Sequence, residues 1–214
     1  MARIRYGARR QGYVAAVLGA ALVATACGQP AYKYESNASE KTFFKIPSSF
    51  AHETLTIKET EGRPKSLPSS IETLWHVTFS GDKAARSDNP DVLAGDAVVY
   101  SLDFSARESI TLSYLRAQQF GGQDPLNPDT DLEGKLELVG VEQRSTGANG
   151  AGTRVIANVK VDENPDVWVT VDSITAIDFL NQKAYVLTMQ CESHCYEQNR
   201  KTADSIAASW KVNT

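Results

Sequence analysis

The stretch KAYVLTMQCESHCYEQNRKTADSIAASW, residues 183–210, decides the fold. Through Cys191 it carries the period-2 pattern of a strand with one buried face. From about Ser193 to Ser209 the period lengthens to that of a helix. Tyr196, Ala203, Ile206, Ala207 and Trp210 then make one apolar stripe able to lie on a sheet. A strand running into a helix of this kind points to an α+β domain, helices packed on an antiparallel sheet.

Working outward, the chain before this stretch supplies the rest of the sheet. IETLWHVTF (71–79) places Ile71, Thr73, Trp75, Val77 and Phe79 on one face and Glu72, His76 and Thr78 on the other. VVYSLDF (98–104) groups Val98, Tyr100, Leu102 and Phe104. KLELVGVEQ (135–143), TRVIANVKV (153–161) and VWVTVDSITAID (167–178) follow as a meander, with Asn149-Gly150, Asn164-Pro165 and Asn181-Gln182 as turn residues. FFKIP (43–47) and ETLTIKET (53–60) read as short opening strands. Ser105-Ala106-Arg107-Glu108 is a capping box opening one helix through ITLSYLRAQQF, which Gly121-Gly122 stops.

FFKIPSSF near the start, the meander ending in AYVLTMQC and the closing IAASWKV together resemble the PsbP-like fold. Photosystem extrinsic subunits, Ran-binding Mog proteins and actinobacterial envelope lipoproteins share it. The resemblance implies an antiparallel sheet sandwiched between helices, an α/β/α sandwich, in proteins that mostly bind or assist others and do not catalyse. It carries over no functional residue. Trp210 reads as a core plug.

The N-terminus sets the address. MARIRYGARRQGY carries Arg3, Arg5, Arg9 and Arg10 and no acid, and VAAVLGAALVATA is apolar but too short for a spanning helix of about 20 residues. Small residues Ala24, Thr25 and Ala26 follow, as at a signal-peptide cleavage site. Cys27 beyond them resembles the lipobox of bacterial lipoproteins, in which the cysteine sulfur carries diacylglycerol. That resemblance implies a signal peptide over 1–26, lipidation at Cys27 with diacylglycerol and palmitate-type acyl chains, and attachment to the extracytoplasmic face of the cell membrane. The alternative is a plain secretory peptide cleaved near Ala26, which leaves Cys27 a thiol. Arg9-Arg10 lacks the following Phe-Leu of a twin-arginine signal.

Residues 27–40 read as a lipid-attached flexible tether and 41–214 as one domain. Losing four arginines and no acid takes the formal charge from −4 to −8. Such a balance gives no electrostatic footprint for nucleic acid or anionic lipid, so the expected attachment is the lipid itself.

Cys191 and Cys195 flank Glu192-Ser193-His194. Outside the cytoplasm this pair is expected to be a disulfide pinning the last strand to the last helix, the spacing allowing the needed Cα separation. A metal site of Cys191, His194 and Cys195, with a carboxylate such as Glu192, is the alternative, though zinc wants more ligands than the spacing offers. Asn127, Asp129 and Asp131 fit an EF-hand only partly, since Leu132 and Leu138 stand where glycine and the bidentate glutamate belong. Asp162, Glu163 and Asp166 read as a solvated turn. No nucleophile elbow, zincin motif or phosphate loop occurs: Gly147, Gly150 and Gly152 have the wrong spacing, and His52 and His76 stand alone.

No cofactor, no resident metal and no catalytic residue are expected. The expected function is a non-catalytic envelope lipoprotein, an accessory module for a protein, glycan or lipid partner. The alternative is a metal-assisted hydrolase built on Cys191, His194 and Cys195.

Overall fold

A computed structural model of the chain describes residues 31–55, 71–129, 134–146, 150–161, 164–178, 180 and 182–212. The signal segment, Cys27, Asp131, Asn149, Asp162, Glu163 and Asn181 lie outside them. Among the described residues the strands are β1 (Tyr32–Asn37), β2 (Thr42–Pro47), β3 (Ala51–Thr54), β4 (Ile71–Ser80), β5 (Ala94–Leu102), β6 (Leu136–Thr146), β7 (Gly150–Val161), β8 (Asn164–Ile177), β9 (Lys183–Glu192) and β10 (Lys211–Val212). The helices are α1 (Phe104–Ser109), α2 (Leu112–Gln119) and α3 (Ser193–Ser209). Seven strands form one antiparallel sheet in the order β3-β4-β5-β9-β8-β7-β6, while β1, β2 and β10 form a smaller one.

Strand alternation gives the large sheet two faces. On the first, Val77, Phe79, Ala97, Val99, Ile174, Leu187 and Met189 pack with Tyr196, Ala203, Ile206 and Ala207 of α3 and with Phe44 and Ile46 of β2. On the second, Leu102 and Ala184 meet Ala106, Ile110 and Leu115 of the α1–α2 segment, and Val155, Ala157 and Val171 meet Phe120. Helices thus cover both faces, as the α+β reading requires. Trp210 plugs the first core as expected, its indole N–H donating to the Thr42 hydroxyl at 3.2 Å.

Four expectations are corrected. The tether ends early: residues 32–37 are a strand, because its inward positions, Glu35 among them, pair against β2 across the buried Phe44 and Ile46. Ile71 and Trp75 lie on opposite faces, because a bulge between Thr73 and Trp75 shifts the register against β5. Phe104 leaves the strand and opens α1 with 78 % of its surface exposed. The single helix is two, and its cap is Asp103, whose carboxylate accepts from the Ala106 amide and the Ser105 hydroxyl at 2.8 Å each. These bonds, the Ala106 amide foremost, hold Asp103 below the usual carboxylate range. Ile110 breaks the helix, and Thr111 recaps α2 through the Tyr114 amide.

One polar cluster joins α3 to the sheet. Arg154 of β7 donates Nε to Asp172 Oδ1 at 2.8 Å and Nη2 to Asp172 Oδ2 at 2.6 Å, and Nη2 also reaches Asp204 of α3 at 2.7 Å. The Tyr196 hydroxyl donates to Asp172 Oδ2 at 2.7 Å, and Asp172 is wholly buried. Burial opposes the guanidinium charge, yet the hydrogen bond and charge of Asp172 and the hydrogen bond of Asp204 raise its pKa. Burial, then the Asp172 charge, raises the Tyr196 phenol. Burial likewise pushes Tyr185 up to about 12, helped by Asp178 and Glu40.

Asp172→Asn leaves the buried guanidinium without its bidentate carboxylate, so the expected loss is about 3–5 kcal/mol of stability. Tyr196→Phe removes one charge-assisted bond, worth about 1.5–3 kcal/mol. Urea unfolding of both variants checks the order; equal, small losses would contradict it. The raised phenols also predict alkaline weakening. The folded chain keeps these protons after unfolded tyrosines, near pH 10, begin to lose theirs. Stability is therefore full below about pH 10 and declines as pH rises toward about 12. A denaturation midpoint unmoved between about pH 9 and about pH 11.5 would show the phenols to be uncoupled from folding.

Candidate functional site

The second face is apolar at one end of the sheet and polar at the other. Cross-strand register lines up Thr78 of β4 with Asp96 of β5, Asp96 with Thr188 of β9, and Thr188 with Ser173 of β8. His76 and Gln190 flank this row on the same face. Above it stand the C-terminal end of α2, with Gln118 and Gln119, and the 81–93 segment carrying Arg86, Ser87 and Asp88. Together they enclose a cleft of about 460 Å³.

The cleft walls are held by their own bonds. Asp82 accepts from the Lys83 amide at 2.7 Å and the Ser87 hydroxyl at 3.1 Å, and Gly81 donates to Leu93 at 3.0 Å. The Glu192 amide donates to Pro90 at 2.7 Å, tying the segment to the end of β9. Across the cleft, the Thr188 hydroxyl donates to Gln119 Oε1 at 2.9 Å. The recess is therefore preformed.

Two polar atoms lie beneath its floor. The Thr78 hydroxyl, on a residue 8 % exposed, and His76 Nε2 make no hydrogen bond, although Nε2 lies 3.4 Å from Asp96 Oδ2. Each of the two exposes less than 1 Å² to solvent, so a guest meets instead the side chains that line the cleft, Arg86, Asp96, Gln118, Gln119 and Gln190. Histidine, aspartate and Ser87 line one cleft, which superficially suggests a hydrolytic triad. The Ser87 proton, however, goes to Asp82 and its oxygen accepts the Asn89 amide at 3.3 Å, so it is spent on loop geometry.

The residues singled out in the sequence go elsewhere. Cys191 and Cys195 form a disulfide with Cα atoms 5.9 Å apart, inside the first core. Their sulfurs are bonded to each other and so are not thiolate ligands. His194 is exposed with Nε2 2.8 Å from Gln198 Nε2, so the Cys191, His194, Cys195 metal cluster of the hydrolase alternative does not form. Among the described residues no group of three or more His, Cys, Asp or Glu is placed to hold a metal. His52 contacts Glu35 through Nδ1. In the acidic loop, Asn127 Oδ1 accepts the Asp129 amide at 3.1 Å, as an Asx turn does. Asp124 is clamped bidentately by Arg116 at 2.9 and 2.8 Å. Burial pushes this carboxyl up, but Arg116, Ser113 and the Leu126 amide outweigh it and hold it below the usual range.

Sequence reasoning missed Asp96, Gln118, Gln119, Thr188 and Gln190. The available signal was the polar set alternating with Val77, Ala97 and Met189 in three separate strands; only pairing makes that set adjacent.

No protein-family model matches the chain, and no curated protein sequence matches it either. Solved structures do. Cyanobacterial PsbP from Synechocystis sp. PCC 6803 is similar at TM-score 0.50 and 12 % identity, over 87 % of this chain and 95 % of that one. The Ran-binding protein Mog1p of Saccharomyces cerevisiae has TM-score 0.44 and 11 % identity, over 85 % and 95 %. LpqN of Mycobacterium tuberculosis, involved in cell envelope biogenesis, has 0.40 and 11 %, over 77 % and 92 %. The fold is PsbP-like. Among the described residues no helix is long and apolar enough to cross a membrane.

Gly95 lines the cleft where β5 crosses Phe79. A Cβ there would sit 2.3 Å from the Thr188 carbonyl and 2.8 Å from the Phe79 ring. Gly95→Ala is expected to cost about 1–3 kcal/mol, because backbone must shift. A thermal midpoint equal to that of the native chain would show the crossing to be loose.

Proposed function

We propose that this chain is a lipid-anchored protein of the bacterial cell envelope, on the extracytoplasmic face of its membrane. Its PsbP-like domain acts as a non-catalytic binding module, and the polar cleft is the recess for its partner. The observation that carries this reading is the preformed cleft and its polar lining. Its lining mixes donors and acceptors, Arg86, Asp96, Gln118, Gln119 and Gln190, on a wall more polar than apolar. Such a lining suits a hydroxyl-rich guest, a glycan segment, better than an acyl chain. The address is supported by the arginine-rich start, the apolar run and small residues before Cys27, and by a disulfide of the kind that persists outside the cytoplasm.

Two measurements test the reading. Cys27→Ala is expected to move the protein from sedimenting membranes to the soluble fraction; continued sedimentation would contradict the anchor. Calorimetric titration with disaccharide fragments of the bacterial cell wall is expected to show binding that Gln118→Ala or Gln190→Ala weakens about tenfold. Turnover of the fragments that His76→Ala abolishes would make the domain an enzyme and overturn the non-catalytic reading.

A further inference from the structure

The small sheet carries a second unspent surface. Its inner face buries Glu35, Phe44, Ile46 and Val212. By strand parity and register, its outer face presents Tyr32, Tyr34, Phe43, Lys45 and Lys211, Tyr34 opposite Lys45 and Lys211 opposite Phe43. Tyr34 is 70 % exposed, and Lys45 Nζ stands 4.5 Å over the Tyr32 ring. Tyr34, Phe43 and the exposed Lys41 line a shallow recess of about 500 Å³. No acidic side chain among the described residues shares this outer face. Glu40, in the adjoining turn, is buried and paired with Lys183 at 2.7 Å.

The chain length says what meets this face. Only Gly28, Gln29, Pro30 and Ala31 separate Cys27 from the start of β1. Whatever their conformation, they span at most about 18 Å. A Cys27 sulfur held by acyl chains at the headgroup boundary therefore keeps β1 within that distance of the bilayer. A net charge of −8 hides the local picture, in which lysines gather on the one face tied closest to the lipid.

We propose that the outer face of the β1–β2–β10 sheet docks on the anionic bilayer surface. Tyr32, Tyr34 and Phe43 enter the interface, and Lys41, Lys45 and Lys211 face the headgroups. This rests on the anchor reading above. Aromatic rings favour the interface, and each lysine near an anionic surface strengthens attachment by about fivefold. Docking would hold the domain in one orientation with the covering helices α1 and α2, on the opposite face of the large sheet, turned away from the membrane.

The test uses the native chain, purified in detergent, with its mass at Cys27 read first. It is reconstituted into phosphatidylethanolamine vesicles containing phosphatidylglycerol, with plain or brominated acyl chains. Tyr34→Trp supplies a reporter on the docking face, and Phe104→Trp, on the exposed start of α1, supplies the control. In brominated vesicles the added emission of Tyr34→Trp is expected to be lost and that of Phe104→Trp kept. Adding Lys41→Glu, Lys45→Glu and Lys211→Glu to Tyr34→Trp is expected to restore emission, as is raising salt. Acylated protein whose two reporters respond alike to bromine overturns the docking and leaves the anchor standing. A dimer in detergent that the lysine changes abolish, with no quenching in vesicles, overturns it in favour of a second copy as occupant. A mass without acyl chains overturns the anchor reading and this proposal with it.

Discussion

The buried guanidinium–carboxylate pair of Arg154 and Asp172 is the constraint on which the rest of the structure depends. Two charges taken out of water are tolerable only when each is fully paired, so strands β7 and β8 have essentially one acceptable register. A one-residue slip of either would send its charged side chain to the opposite face, into the apolar contacts of Val155, Ala157 and Phe120. Tyr196 and Asp204 complete the pairing from α3, so the cluster also fixes how that helix lies on the sheet. Apolar burial supplies most of the attraction between α3 and the sheet; the polar cluster selects the arrangement.

Once that register is set, the other face follows. The same alternation that turns Val77, Ala97 and Met189 toward α3 turns Thr78, Asp96 and Thr188 away from it, into one row. Helices α1 and α2 cover the apolar end of that face and reach the row only at their last residues, α2 ending at Gln119 over Thr188. A polar recess is therefore the remainder left by a helix that halts at Gly121-Gly122, whose positive φ values suit glycine.

The ends of the chain meet in the small sheet, where β10 pairs with β2 after α3 and β1 pairs with β2 before it. The Cys191–Cys195 bridge holds the junction of β9 and α3, a short closed loop whose effect is local. Together these place the N-terminal strand and the C-terminal helix on the same side of the large sheet. A domain so arranged leaves its cleft on the side away from its first strand.

Much was legible in the residues alone. The alternating segments mark nearly every strand of the large sheet, because a half-buried strand must present one apolar side whatever its partner. The Tyr196–Trp210 stripe marks the closing helix for the same reason, and the short Cys191–Cys195 spacing permits the bridge. Other features needed the folded chain. The bulge that divides Ile71 from Trp75, the recruitment of residues 32–37 into a strand and the break at Ile110 arise from pairing and packing with distant segments. Arg154, Asp172 and Asp204 stood in the sequence as isolated charges, and Thr78, Asp96 and Thr188 as ordinary outward positions. Alternation is a local property written into each segment, whereas neighbourhood across strands is set by register, and register is decided only when the whole sheet buries its charges and its apolar face together.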